Sequence, residues 1–299
     1  MSKIVRENGC NNHLHTTYSD GSLTAEQLIE LAKEKKLKSI TITEHNLFNP
    51  KIPELRTIYE KDGIEILNVI EFSVAHKLES GKTKELHIVC MLFDEKHPAF
   101  QEYLAMYEGR EAFIRELLRR LEEKGMKLEY DELVKSYPDT KALGVVHVAE
   151  MLVKKNYVKD IDEAMDYVGS KGARICYVNK AEFMKFPSLN MCIKYIKAFK
   201  GFPIYAHPFY PTDITEEERI EMIDAFKKAV GKGNGGIEVY YKDYTPEMEN
   251  WILEQAGDDL LPSCGSDFHG IYVDDRFDNY DYAITDAIKK RHQEMYWTK

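Results

Sequence analysis

Two imidazoles stand two residues apart almost at the start of the chain, in Asn11-Asn12-His13-Leu14-His15-Thr16-Thr17-Tyr18-Ser19-Asp20-Gly21. Three further stretches repeat the same residue types: Thr43-Glu44-His45-Asn46, Ala206-His207-Pro208 and Gly265-Ser266-Asp267-Phe268-His269-Gly270. Glu71 and His87 fall between them. Imidazole and carboxylate donors suit borderline divalent cations such as zinc, manganese or iron. Several carboxylates let two ions share a ligand, the arrangement used for in-line displacement at phosphorus. His-x-His in an extended segment turns both rings to one side, so both reach one ion. Each residue also has an ordinary explanation: a histidine at a strand end is commonly just hydrogen-bonded, and aspartates beside glycines sit in turns. Those explanations must hold separately at His13, His15, Asp20, His45, Glu71, His87, His207, Asp267 and His269. A shared metal centre in a hydrolase accounts for all of them at once.

The elements that would position these residues follow from hydrophobic periodicity. Residues 8–15 read as a short strand ending at the two histidines. A helix over 24–36 follows, capped by Ser22 or Thr24. Residues 38–43 form a β-branched buried strand that delivers Glu44 and His45. A proline-bounded helix covers about 50–61, and strands cover 64–70, with Glu71 at the end, and 85–92. Residues 98–124 are a long helical pattern rich in Arg and Glu, whose charges through 107–124 are most simply a solvated face. Shorter helical segments follow at 130–136, 143–155 and 160–170, broken by Pro138, Gly144, Gly169 and Gly172, with a short strand at 175–178. The strand–helix rhythm resumes with strand 202–206, helix 215–230, strand 237–241, helix 245–256 and strand 260–264. Repeated strand–helix units with polar residues at strand C-termini point to a (β/α) barrel, whose active site lies on that face. A doubly wound open sheet shares the rhythm, but sites converging from strands spread along the chain favour closure. The expected division is a barrel from 1–97 and 201–299 and a mostly helical cap from 98–200.

The chain has 299 residues, 43% of them hydrophobic and 31% charged, enough for one large α/β domain with an insertion. No apolar run approaches the roughly 20 residues that span a bilayer, and residues 1–7 hold no signal-like apolar segment. Membrane attachment and secretion are not expected. The five cysteines, Cys10, Cys90, Cys176, Cys192 and Cys264, form no C-x-x-C pair and fit reduced thiols in a cytoplasm. A net charge of −10 argues against duplex nucleic acid, which normally meets a broad basic surface. A small anionic substrate would be drawn by bound metal, and short oligonucleotides remain compatible. The oligomeric state is left open. His76, His97 and His292 read as surface residues.

The order His-x-His…Ser-Asp-Gly, Thr-Glu-His-Asn, Glu, His, Ala-His-Pro, Gly-Ser-Asp-x-His resembles the PHP (polymerase and histidinol phosphatase) family of metal-dependent phosphoesterases over nearly the whole chain. Within it, Gly144-Val145-Val146-His147-Val148-Ala149, Val153, Asn156-Tyr157-Val158, Glu163-Ala164 and Cys176-Tyr177-Val178 look most like the nucleoside 3′,5′-bisphosphate phosphatase/RNase AM branch. The resemblance implies a distorted (β/α)7 barrel and a site for two to three divalent ions. It implies a first metal at His13, His15, Glu71 and Asp267, and a second at Glu71, His87 and His207. The implied third lies at Asp20, His45 and His269.

The activity so implied is hydrolysis of a phosphate ester, monoester or diester, of a small nucleotide or sugar phosphate, through a metal-bridging hydroxide. Asp267 would orient the nucleophile, and His147 would protonate the leaving oxygen or bind phosphate. Two departures from the family pattern stand out. Glu44 stands where an Asp is usual, at a position behind the ligands. Val145 and Val146 stand where the branch has Arg-Pro before the cap histidine, and valine cannot replace a bidentate guanidinium–phosphate contact. Lys180, Arg174, Lys171 or Lys141 are the candidates to supply that charge, and His147 in its apolar helix is equally well read as a packed core histidine. Two other readings stand beside this one. The first is amidohydrolase-like cleavage of a non-phosphate substrate, disfavoured by the lack of a lysine placed to bridge metals as a carbamate. The second is a non-catalytic metal-binding module, disfavoured by the complete ligand set.

Overall fold

A computed structural model describes residues 8–169, 173–210, 212, 214–270 and 275–298 of the protein. Seven strands lie side by side in chain order: β1 Gly9–Asn11, β2 Leu37–Ile42, β3 Glu65–Lys77, β4 Thr83–Met91, β5 Phe202–Tyr205, β6 Gly236–Tyr241 and β7 Leu261–Gly265. β1, β2 and β3 run parallel, as do β5, β6 and β7, whereas β4 is antiparallel to both of its neighbours. Closure comes beyond the strand ends, where His15 N donates to the Phe268 carbonyl (3.0 Å) and Asp267 N to the His13 carbonyl (2.9 Å). The nearly closed, distorted seven-stranded barrel expected from the sequence is the architecture found.

The barrel-side helices begin with α1 Ala25–Glu34, where Thr24 and Gln27 cap each other's backbone amides reciprocally. α2 Ile52–Tyr59 carries proline in its first turn, where its missing N–H costs nothing. α3 Pro98–Leu104 leads into α4 Arg110–Glu122, α5 Tyr130–Ser136, α6 Val145–Lys154 and α7 Ile161–Val168; α8 Leu189–Ala198 returns to the barrel. α9 Glu216–Val230, α10 Pro246–Ala256 and α11 Tyr282–Tyr296 complete the chain. Two of the apolar clusters divide the stretch from α3 to α8. Phe100 and Tyr103 of α3 and Leu189, Ile193 and Ile196 of α8 pack with Phe72, Ile88, Tyr205 and Phe226 in the barrel cluster. Phe113, Leu117, Leu133, Val148, Leu152, Val168 and Val178 form a separate core within the insertion.

Three local expectations need correction. Glu71 does not end its strand: β3 continues to Lys77 as a hairpin with β4, because Phe72 and Val74 pair with Ile88 and Leu86 in a buried ladder. Residues 98–124 are two helices rather than one. The break falls at Gly109 (φ 94°), where a Cβ would lie 1.9 Å from the Phe183 carbonyl oxygen, so only glycine fits. Residues 175–178 form no strand. The amides of Ile175 and Cys176 donate instead to the Asp166 and Tyr167 carbonyls (3.0 and 2.8 Å), satisfying acceptors that the last turn of α7 leaves open.

Candidate metal centre

All nine candidate ligands meet at one end of the barrel. A ring of backbone hydrogen bonds holds the segments that carry them. Thr43 N donates to the Leu14 carbonyl (2.7 Å), Glu71 N to Glu44 (3.1 Å), Asn46 N to Glu71 (2.8 Å) and Ala206 N to His87 (3.0 Å). His207 and Asp267 both adopt positive φ, 29° and 50°, a costly backbone state that concentrates at functional sites. His13 and His15 follow β1, with Leu14 between them buried in the opposite direction against Phe268.

The donor atoms fall into overlapping groups within reach of single ions: His15, Asp20, His45 and His269; His13, His15 and Asp267; His13, Glu71 and His207; His45, Glu71 and His87. Glu71, fully buried, lies at the middle. Its Oε1 is 2.8 Å from His87 Nδ1 and 3.0 Å from His207 Nε2, and its Oε2 is 2.7 Å from His45 Nδ1. His15 Nε2 lies 3.0 Å from Asp267 Oδ1, and Asp20 lies within 3.7 Å of His15, His45 and His269. His13 Nε2, both ring nitrogens of His15, Asp20 Oδ1, Glu71 Oε2 and His207 Nδ1 are buried without a well-directed hydrogen bond. Buried polar atoms are normally satisfied, so a set of lone pairs converging unsatisfied fits divalent cations. The electrostatics agree. Burial would raise the Glu71 pKa, but His45, His87 and His13 outweigh it and hold the carboxylate well below its usual range. Asp267 is held down likewise, against burial, by His13 and His269. Burial, His269 and His45 bring His15 down to about 3, leaving a neutral imidazole with a lone pair to give.

The shell behind these residues was only partly legible. Glu44 accepts from the Thr16 and Ser19 hydroxyls and belongs to none of the donor groups, so it pins the 16–19 turn. Glu238 drew no notice in the sequence and is the principal omission. Buried in β6, its Oε1 accepts from His13 Nδ1 (2.8 Å) and its Oε2 from His207 N (2.6 Å). The signal was a lone carboxylate inside Ile237-Glu238-Val239, since an unpaired buried charge is rarely tolerated. Glu85 accepts from His87 Nε2 (3.1 Å), and Tyr241 Oη donates to Asp267 Oδ2 (3.0 Å). Lys242 donates to the Asp267 carbonyl (3.0 Å), and Asp275 accepts from His269 N (2.7 Å).

The segment between α5 and α6 reaches this end of the barrel. Thr140 Oγ1 donates to the Thr17 carbonyl and Lys141 N to that of Tyr18 (2.8 and 3.0 Å). His147 is buried, with Nδ1 accepting from Gly144 N (2.9 Å), and Gly144 brings the helix start beside Asp20. Arg110, at the start of α4, was also missed. Its guanidinium reaches the Leu143 carbonyl (3.5 Å), and the charges acting on it are Asp20 and Glu85. The clue was the Gly109-Arg110 pair interrupting a helical pattern. Lys180 lies close enough to Glu85 to act on its charge. Arg174 is exposed, its guanidinium 3.8 Å from the centre of the Tyr177 ring. Lys171 is outside the described residues. Of the histidines set aside, His76 is partly exposed near Glu221 and His97 caps α3. His292 is instead buried, bonded to the Lys200 carbonyl (2.6 Å), because α11 packs over the sheet.

Fold and donor set together define a metal-dependent barrel hydrolase. Residues 11–242 match the PHP domain, and the chain belongs to that family; it is a metal-dependent hydrolase of phosphate esters. It is 30% identical to a 5′-3′ exoribonuclease of Haemophilus influenzae, over 86% of this chain and 88% of that one. Identity is 28% to the 3′,5′-nucleoside bisphosphate phosphatase of Chromobacterium violaceum (86% of each chain). It is 25% to the phosphoribosyl 1,2-cyclic phosphate 1,2-diphosphodiesterase of Eggerthella lenta (86% and 93%). A Chromobacterium violaceum structure described as an amidohydrolase superposes with a TM-score of 0.76 at 24% identity, covering 95% of this chain and 96% of that one. That likeness speaks for the fold alone.

Proposed function

We propose that the substrate is a small phosphorylated molecule, a nucleotide or a sugar phosphate, or the phosphorylated end of a short oligonucleotide. Two to three divalent ions, zinc, manganese or iron, would be held by His13, His15, Asp20, His45, Glu71, His87, His207, Asp267 and His269. The observation that carries this reading is the convergence of unsatisfied buried donor atoms from separate strands beneath a cap that presents Arg110 and His147. When bound, such ions supply Lewis acidity to the phosphoryl oxygens and to the attacking water.

The chain's own residues do the rest. Glu238 and Glu85 fix the rings of His13 and His87, and Tyr241 fixes Asp267, which orients the nucleophile. Arg110 takes the place of the guanidinium that Val145 lacks, with a planar fork suited to phosphate; Lys180 adds charge beside it, and Arg174 is further out on the cap. His147 accepts at Nδ1, so its proton is on Nε2, available to a phosphate or leaving oxygen. The cap docked on the 17–18 turn restricts water and favours small or terminal phosphates over duplex nucleic acid. The described helices include none long and apolar enough to cross a membrane. Five buried free thiols support a reducing compartment, the cytoplasm.

Phosphate release from nucleoside phosphates, sugar phosphates and short 5′-phosphorylated oligonucleotides, before and after chelation, tests the proposal. Loss on chelation and return with added divalent ion is expected. Activity indifferent to thorough metal removal overturns it.

A further inference from the structure

Beside the metal centre, residues that follow β5 and β6, with Arg219 of α9 and Met248 of α10, line an open cavity. It measures about 310 Å³ and is lined by Phe209, Tyr210, Thr212, Arg219, Asp243, Tyr244 and Met248. It opens on the end of the barrel that carries the ligands. An aromatic path connects the two: the Tyr210 ring lies 5.9 Å from His207, Tyr241 lies 6.1 Å from Tyr210, and Tyr244 lies 4.9 Å from Tyr241. None of the cavity's residues belongs to a metal donor group.

Its chemistry is mixed in a particular way. Phe209, Tyr210, Tyr244 and Met248 give π-faces and soft apolar surface. Arg219, only 8% exposed, contributes a guanidinium set 4.6 Å from the centre of the Phe209 ring and bonded to the Pro208 carbonyl. Asp243 offers an exposed carboxylate at the rim, facing Arg276 at 3.5 Å. The wall is itself ordered: Tyr244 Oη accepts from Phe209 N (3.1 Å), and the Phe209 ring packs against Trp251. A purely apolar group would leave the guanidinium and carboxylate unused, and a bare phosphate would meet Asp243 and the aromatic faces to no advantage. A planar heterocycle with donors and acceptors on its edge uses both features.

We propose that this cavity is the base subsite of the substrate, taking a nucleobase whose ester phosphate lies at the metal centre. The ring stacks against Tyr210 and Tyr244, its edge acceptors face Arg219 and its edge donors face Asp243. This rests on the phosphate-ester reading of the preceding section and narrows it: sugar phosphates without a base are then poor substrates.

Adenosine 5′-phosphate and ribose 5-phosphate, compared on the metal-replete full chain, provide the test. The variants are Met248→Trp, which fills the cavity, and Tyr210→Ala, which removes a wall. Base–aromatic stacking implies that each variant raises KM for adenosine 5′-phosphate about tenfold, with KM for ribose 5-phosphate and kcat for both near wild type. Equal shifts on the two substrates, or none on either, overturn the subsite. Calorimetric titration of the same two compounds separates this from failure of the phosphate-ester reading. If the wild type releases no phosphate from either compound but binds adenosine 5′-phosphate better, and Met248→Trp abolishes the preference, the subsite stands and the catalytic reading falls. Equal binding of the two compounds, or binding of neither, overturns the subsite whatever the activity.

Discussion

Glu238→Gln is the most informative single change. Both oxygens of Glu238 accept hydrogen bonds, Oε1 from His13 Nδ1 at 2.8 Å and Oε2 from His207 N at 2.6 Å. An amide of the same shape keeps one acceptor and turns the other into a donor. If the amide oxygen stays on His207 N, the NH₂ faces His13 Nδ1, which must give up its proton. The proton then moves to Nε2, the nitrogen 3.4 Å from Glu71 and 3.5 Å from Asp267, and the ring can no longer donate a lone pair to an ion there. If the amide flips, the backbone N–H of His207, a residue already at positive φ, loses its acceptor. Losing a charge-assisted hydrogen bond costs about 1.5–3 kcal/mol, and carboxylates that orient metal-bound histidines typically change affinity by about 10–100-fold. The expected result is metal binding weaker by about one to two orders of magnitude, measured by competition with a chelating dye, with the far-ultraviolet circular dichroism unchanged. Wild-type metal affinity in a folded Glu238→Gln protein would mean that Glu238 does not set the His13 tautomer.

Arg110→Met should lower kcat/KM for phosphate esters by about ten- to a hundredfold, the worth of one charge-assisted contact, while metal content stays at the wild-type level. Gly265→Ala should destabilise the fold. The new Cβ would lie 2.3 Å from His13 Cβ and 2.6 Å from Glu238 Oε1, and overpacking of this kind costs about 1–3 kcal/mol, read as a lower chemical-denaturation midpoint. Thr24→Ala removes the reciprocal cap of α1 and should cost about 1 kcal/mol with no effect on turnover. Chelation should lower the thermal midpoint as well as activity, because ions that bind only the folded chain stabilise it.

What could be read from the sequence was set by whether local pattern or long-range contact determines it. The strand ends carrying His45, His207 and Asp267 were legible because short apolar stretches, β-branched only before His45, lead into polar residues there. The hairpin of β3 and β4 was not: its pairing joins residues such as Phe72 and Ile88, and nothing local says that the strand continues past Glu71. The segment from 175 to 178 looked like a strand because Ile175-Cys176-Tyr177-Val178 is a short apolar run, yet Cys176 and Val178 are buried against the insertion's own core. The drawn insertion, 98–200, includes α3 and α8, whose apolar faces belong to the barrel cluster, a fact of packing that amphipathic periodicity alone does not carry. Histidines announced the candidate centre, since few other uses gather so many. Glu238 and Arg110 did not, because a buried carboxylate and a helix-initial arginine acquire their meaning only from the partners the fold brings to them.

Phosphate-ester hydrolysis is expected to depend on metal held by these side chains. The most direct test follows phosphate release while the chelated chain is titrated with manganese, zinc or iron(II) and bound metal is counted. No turnover is expected without metal, with a rise in step with occupancy that saturates at about two to three ions per chain. Full turnover with no ion retained would contradict it.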